Sequence, residues 1–226
     1  MTANKEHTSV WLIIPQTNLH VGNESIVNFS VIDKAIQRDV TTGLPCINSS
    51  SLKGAIKEFL ENEGCTEIKA LFGSTKADKN NSQKGSALFF DATLLAIPEQ
   101  KTGGDSPYKQ VYNDEVLGAF LAKASVLGAN VKKENLLNHI LKKEGCDCKK
   151  FKSLCSDDNL PIIARNCLDN GESVNLWYEQ VLPSQSVLAT IIQTVNEKAL
   201  DMLNGKIVQI GANATIGYGY CKFIKL

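Results

Sequence analysis

An α+β fold of the ferredoxin-like or RRM-like kind, in the order βαββαβ, is what the amino-acid sequence predicts, and three observations predict it. Apolar runs of strand length, closed by proline or glycine, recur along the chain. One segment, 52–60, has a helical rather than an alternating apolar pattern. The elements run strand, helix, strand, a long excursion, strand, helix, strand. The 226 residues suffice to bury a substantial core. We read a single domain over 1–226, with a core at roughly 8–98 and 172–226 and a mostly helical insertion at roughly 99–171.

The first strand is SVWLIIP, 9–15, ended by its proline. The polar, glycine-interrupted stretch that follows reads as a loop with a short strand. The clearest helix places Leu52, Ala55, Ile56, Phe59 and Leu60 at i, i+3, i+4, i+7 and i+8. Ser49 or Ser50 is suited to cap its start, and Gly64 to stop it. Residues 73–86 are polar and glycine-flanked, the pattern of a mobile loop. ALFFDATLLAIP, 87–98, reads as one core strand with Asp91 inside it as a structural acid. A loop follows, then a helical pattern over 114–144. SVNLWYEQVLP and SVLATIIQTV read as strands, NEKALDMLNG as a short helix, and KIVQIG and IGYGYCKFIKL as strands around a glycine-rich turn.

Lysine plus arginine equals aspartate plus glutamate at 24 each, so an anion-binding surface has to be local. No apolar run approaches the roughly 18 residues a membrane span needs. The N-terminal segment lacks a signal-peptide layout, and a cytoplasmic protein without membrane partners is expected. The cysteine count is seven, an odd number that argues for free thiols in this setting. Cys146, Cys148, Cys155 and Cys167, with His139 before them, raise a zinc site, but the cluster has no Cys-x-x-Cys pair. Reduced cysteines in a lysine-rich excursion are the other reading.

The blocks LHVG (19–22), IDKAIQRD (32–39), TGLPCI and SSLKGAIKE resemble the RAMP proteins of type III CRISPR effectors. LFGS, FFDATLLAIP, LWYEQVLP and VQIGANATIGYG extend that resemblance, in the family's order, to the type III-B (Cmr) backbone subunits of the Cas-seven group. The chain departs from the family at Asn48 and Ser49, where Pro-Gly is usual, and at Ala212, where glycine is common. The resemblance implies a ferredoxin-like palm with a thumb from the inserted excursion. It also implies a subunit that polymerises along a guide CRISPR RNA, with other Cmr-type subunits, and cuts complementary target RNA at regular intervals.

The residues supply parts for that task. Ser50 and Ser51 offer hydroxyls at a helix start whose first amides lack intrahelical partners and whose dipole is positive. Lys53 adds a charge one turn in. Lys57 extends the track or pairs with Glu61. The guanidinium of Arg38 suits a phosphate, or pairs with Asp39. His20 contacts RNA, acts as acid or base, or is structural. Gly217 and Gly219, with Gly211, let an RNA backbone approach, or form a plain hairpin.

Asp33 matches the acid that the resemblance associates with target cleavage. A carboxylate there holds a transient divalent cation, Mg²⁺ or Mn²⁺, or acts as a base; otherwise it caps turn amides. Glu179 matches a second acid, either a target-site contact or a strand residue facing water. A guide-directed endoribonuclease subunit is the leading reading. A non-catalytic guide-binding assembly subunit is the alternative, and a metal-free guide-processing ribonuclease using His20 is a third.

Overall fold

The computed structural model describes residues 7–22, 32–74, 83–103, 105–140, 143–146 and 148–226. The stretch 23–31, expected to hold loop and short strand, and 75–82 of the expected mobile loop lie outside them.

Strand β1 (His7–Pro15) lies inside a mixed α/β fold. Trp11 and Ile13 point into one apolar cluster and Val10 and Leu12 into a second, as alternate residues of a strand covered on both faces must. Its neighbours are β11 (Tyr220–Lys225) and β9 (Val187–Thr194), both antiparallel. Beyond β9 come β4 (Ala92–Gln100), β5 (Tyr108–Tyr112) and β6 (Lys143–Cys146), and β10 (Ile207–Gln209) closes the other edge. The order is β10-β11-β1-β9-β4-β5-β6, antiparallel except for the last pair. Two short strands, β2 (Cys46–Ile47) on β4 and β3 (Leu88–Phe89) on β9, complete the nine.

Helix α1 (Ser49–Asn62) buries Leu52, Ile56 and Leu60 in the cluster of Trp11 and Ile13. It stops at Gly64, which has φ +76°: the Gly64 amide donates to Glu61 and the Cys65 amide to Leu60, so a left-handed residue satisfies the last carbonyls. Short helix α2 (Ile68–Phe72) follows and buries Leu71 and Phe72 in the same cluster. The opposite face of the sheet is covered by α3 (Asp114–Val126), through Leu117, Phe120 and Ala124, and by α4 (Lys133–Leu137), through Leu136. Asn113 caps α3 by accepting from the amides of Glu115 and Val116. Short helices α5 (Cys148–Leu154) and α6 (Glu197–Asp201) add Phe151 and Leu200 to the α1 side.

Three expectations need correcting. Neither Ser49 nor Ser50 caps α1; Asn48 occupies the cap position without a side-chain bond, and Asp91 accepts the Ser49 amide at 2.6 Å from across the sheet. That contact explains the second correction. The apolar run 87–98 is not one strand but β3 and β4, broken at Phe90 and Asp91, where the chain turns its acid toward the helix. Third, the segment 99–171 is not mostly helical, because strands alternate with its helices and β5 joins the main sheet. Its last strand, β7 (Ile162–Asp169), pairs with β8 (Glu172–Gln180) in a separate two-stranded sheet. Asn170 and Gly171, at φ +50° and +88°, form the tight turn that such a hairpin favours.

Replacing Ile56 by alanine empties a fully buried position and is expected to lower the unfolding free energy by about 2–5 kcal/mol. Glu58→Ala, on the exposed face of the same helix, is expected to change it by less than about 0.5 kcal/mol in the same denaturant titration.

Candidate nucleic-acid interface

The segment from Asp33 to Arg38 runs beside the base of the β7–β8 hairpin. The amides of Asp33 and Lys34 both donate to Tyr178 O at 3.1 Å, and the Gln180 amide donates to Lys34 O at 2.9 Å. Asp33 is exposed, and its Oδ2 accepts the Tyr178 amide at 2.7 Å, so one carboxylate oxygen is fixed to the backbone of β8. The amide-capping account of this acid holds, and the cap sets the direction of its exposed carboxylate.

Glu179 lies beneath, with its side chain only 2% exposed. Its Oε1 accepts from Lys34 Nζ at 3.0 Å and Trp177 Nε1 at 2.8 Å. Its Oε2 accepts from Arg165 Nε at 3.2 Å and Asn213 Nδ2 at 2.8 Å. Four donors saturate a carboxylate. Burial pushes the Glu179 pKa up, but the Trp177, Lys34 and Asn213 hydrogen bonds and the lysine charge outweigh it and bring it to about 2. Glu179 is thus neither a water-facing strand residue nor a ligand offered to target RNA. It is an internal anion at neutral pH that ties together the segment after residue 32, both strands of the hairpin and the turn at 213.

Two other expected contacts turn inward. Arg38 Nη1 donates to Gly43 O and Cys155 O at 2.8 Å, and Nη2 lies 2.7 Å from Asp157. The guanidinium fastens the end of α5 to the 39–43 turn and does not stand out for a phosphate. Its expected alternative partner, Asp39, instead accepts from the amides of Thr41 and Thr42 and from the Thr42 hydroxyl. Burial raises the Asp39 pKa, but these bonds win and hold it below the usual carboxylate range. His20 is 3% exposed, and its Nδ1 donates to Gln180 O at 2.7 Å, so its ring is inside the fold rather than at the surface.

The glycines divide as well. A Cβ on Gly219 would meet Ile210 O at 2.0 Å, and one on Gly211 would meet His20 O at 2.3 Å. Both therefore serve close approach within the chain. Gly217, with φ +84°, has open space where its Cβ would be, and it keeps the room that a ligand backbone needs.

The start of α1 stays on the surface. Ser49, Ser50 and Lys53 line one side of a groove, and 87–90, including Phe89 and Phe90, line the other. Ser51 is half-buried and accepts from Gln37 Nε2 at 3.1 Å, while Lys57 pairs with Glu61 at 3.6 Å. Gln37, buried and absent from the sequence reading, also accepts the Asn48 amide through Oε1 at 2.7 Å. It thereby locks the helix start to the segment that carries Asp33. Lys34, Trp177, Arg165 and Asn213 were equally unread. The aromatic and acidic character of LWYEQ was visible, but a partner 145 residues away was not.

Among the described residues, no three histidine, cysteine, aspartate or glutamate side chains converge as a metal site. Cys155, just after α5, is buried and Cys167, on β7, is exposed, and the side chain of Cys146 is outside the described residues. Burial pushes the Cys155 thiol up to about 12, away from the thiolate a zinc ligand requires.

Comparison with known proteins places these features in a lineage. Residues 13–222 match the family model of the RAMP superfamily. The CRISPR system Cmr endoribonuclease Cmr4 of Pyrococcus furiosus is 24% identical over 274 aligned positions, covering 91% of each chain. The chain superimposes with a TM-score of 0.77, at 23% identity and 97% coverage of both, on a subunit of the type III-B Cmr-beta complex bound to cognate target RNA. With the crystal structure of oligomeric Cmr4 from P. furiosus the TM-score is 0.68, at 18% identity and coverage of 96% and 97%.

Because the pKa of Glu179 is depressed, the stability it confers is complete above its ordinary value of 4.5 and is lost as pH falls toward about 2. Denaturant unfolding across that window is expected to show a decline that Glu179→Gln removes. Glu179→Ala at neutral pH strands two cations and is expected to cost about 3–5 kcal/mol. Gly219→Ala is expected to destabilise strongly and Gly217→Ala far less, measured as shifts in thermal midpoint.

Proposed function

This chain belongs to the RAMP superfamily, and on that premise we propose that it is the guide-RNA-binding backbone subunit of a type III-B CRISPR complex and cleaves complementary target RNA. The observation that carries the reading is Asp33, an exposed acid whose direction is set by the Tyr178 amide and whose segment is tied through Gln37 to the start of α1. The order β11-β1-β9-β4, with α1 and α6 as the crossovers, supports a ferredoxin-like palm. The P. furiosus relative's description as an endoribonuclease and the target-RNA-bound and oligomeric neighbours support the cleavage, RNA and self-assembly parts of the reading. Other Cmr-type subunits complete the set of partners. Among the described residues no helix is long and apolar enough to cross a membrane, and we assign the protein to the cytoplasm, where transcripts are met.

In this reading the guide's phosphates lie along Ser49, Ser50 and Lys53, where the helix dipole favours anions beyond the Ser49 amide that Asp91 already holds. The β7–β8 hairpin, apart from the main sheet and with exposed Leu168, Val174 and Leu176, takes the part of the thumb. Asp33 approaches the 2′-hydroxyl of the nucleotide to be cut. One carboxylate is too thin a set to hold a resident ion, so a divalent cation fits here only when RNA oxygens complete its shell. When bound, such an ion neutralises phosphate charge and stabilises the leaving 5′-oxygen. Asp33 orients toward the ribose and holds the proton drawn from its hydroxyl.

In a complex assembled with guide and complementary RNA, Asp33→Ala is expected to bind target as wild type does and to lose cleavage by at least about 100-fold. Chelation with EDTA is expected to stop cleavage and leave binding intact. Wild-type protein that never cuts, with Mg²⁺ or Mn²⁺ present, would instead establish the non-catalytic assembly role.

A further inference from the structure

Lys34 follows the proposed cleavage acid in the chain, and its surroundings differ from those of an ordinary surface lysine. Its side chain is 52% exposed, yet the ammonium is held at two points: 3.0 Å from Glu179 Oε1 and 4.9 Å from the centre of the Trp177 ring. A solvated lysine spreads its charge over many rotamers, whereas this one presents it at a fixed place. The carboxylate beneath is shared with Arg165 Nε at 3.2 Å. Two cations against one anion leave one net positive charge. Arg165 has 19% of its side chain exposed, so most of the charge that reaches the surface is that of Lys34. An ammonium has three N–H donors, and the bond to Oε1 engages one.

Asp33 and Lys34 are also fixed to the same stretch of β8. Their amides share Tyr178 O, the Tyr178 amide binds Asp33, and the Gln180 amide binds the Lys34 carbonyl. An acid and a cation thus occupy adjacent positions on one support, each tied to β8.

We propose that Lys34 is a second RNA-contacting residue of the cleavage site, a cation that binds a non-bridging oxygen of the linkage cut at Asp33; this rests on the reading of Asp33 above. In scission the 2′-oxygen bonds to phosphorus and its proton passes to the Asp33 carboxylate. The bond from phosphorus to the 5′-oxygen then breaks, and that oxygen takes a proton from water. The products are a 2′,3′-cyclic phosphate and a 5′-hydroxyl. Negative charge builds on the non-bridging oxygens between bond formation and bond breaking. Lys34 stabilises that charge without transferring a proton. The phosphate role that the sequence suggested for Arg38 passes to Lys34, because Arg38 is engaged by Gly43, Cys155 and Asp157.

The test compares wild type, Asp33→Ala, Lys34→Met and Lys34→Arg in the guide-loaded complex, with target affinity and single-turnover cleavage measured separately. Lys34→Met is expected to cut about 100-fold more slowly at unchanged target affinity, and Lys34→Arg to recover most of the rate. Sulfur in place of one non-bridging oxygen at the scissile phosphate is expected to slow wild type more than Lys34→Met. Lys34→Met cutting at the wild-type rate while Asp33→Ala is inactive overturns the assignment of Lys34 and leaves Asp33 in place. Equal loss in Lys34→Met and Lys34→Arg, with undiminished sensitivity to sulfur, also overturns it and makes Lys34 a brace for Glu179. Asp33→Ala cutting at the wild-type rate removes the underlying reading and the inference with it.

Discussion

A single internal carboxylate holds the functional face in place. Glu179 accepts hydrogen bonds from four side chains on three parts of the chain, and it does so where water scarcely reaches. An unpaired buried anion is costly, so the arrangement persists only while all its partners are present. The partners are therefore as constrained as the acid. The 33–38 segment, which has no regular secondary structure, acquires a fixed path because Lys34 is drawn to Glu179 and the neighbouring amides to Tyr178. What is displayed outward, Asp33 above all, owes its direction to what is satisfied inward.

The sheet supplies the rigidity behind this. β1, β9 and β4 are apolar on both faces, with helices packed on each side, so they cannot shift register without exposing a core. A bulge between Leu94 and Ala96 puts Leu95 and Ala96 in the same cluster and reorients the strand's far half. Asp91, in the break just before β4, reaches the first amide of α1. The helix start is thus anchored to the sheet by an acid from one side and to the 33–38 segment by Gln37 from the other. The exposed helix end and the exposed acid share a frame.

Much of this frame was legible in the residues. Periodicity found β1, α1, β9 and the closing pair of strands, because local alternation and the 3.6-residue repeat report burial directly. The Asn-Gly pair at 170–171 was an available hairpin signal for β7 and β8. The site was legible only as a list of chemically able side chains. Sequence could not distinguish an arginine that faces solvent from Arg38, whose carbonyl partner at Cys155 is 117 residues away. Nor could it separate the open glycine at 217 from the packed one at 219, since both have positive φ and differ only in what lies opposite. Polar residues have many partners to choose from, and tertiary contact makes the choice.

The β7–β8 ribbon has a base sewn into the fold and a far end with Leu168 and Val174 bare to solvent. Two strands alone are marginal in water. A surface that covered those side chains would therefore stabilise the outer rungs of this ribbon by mass action. Dilution would remove such a support and association restore it, along a single stretch of backbone.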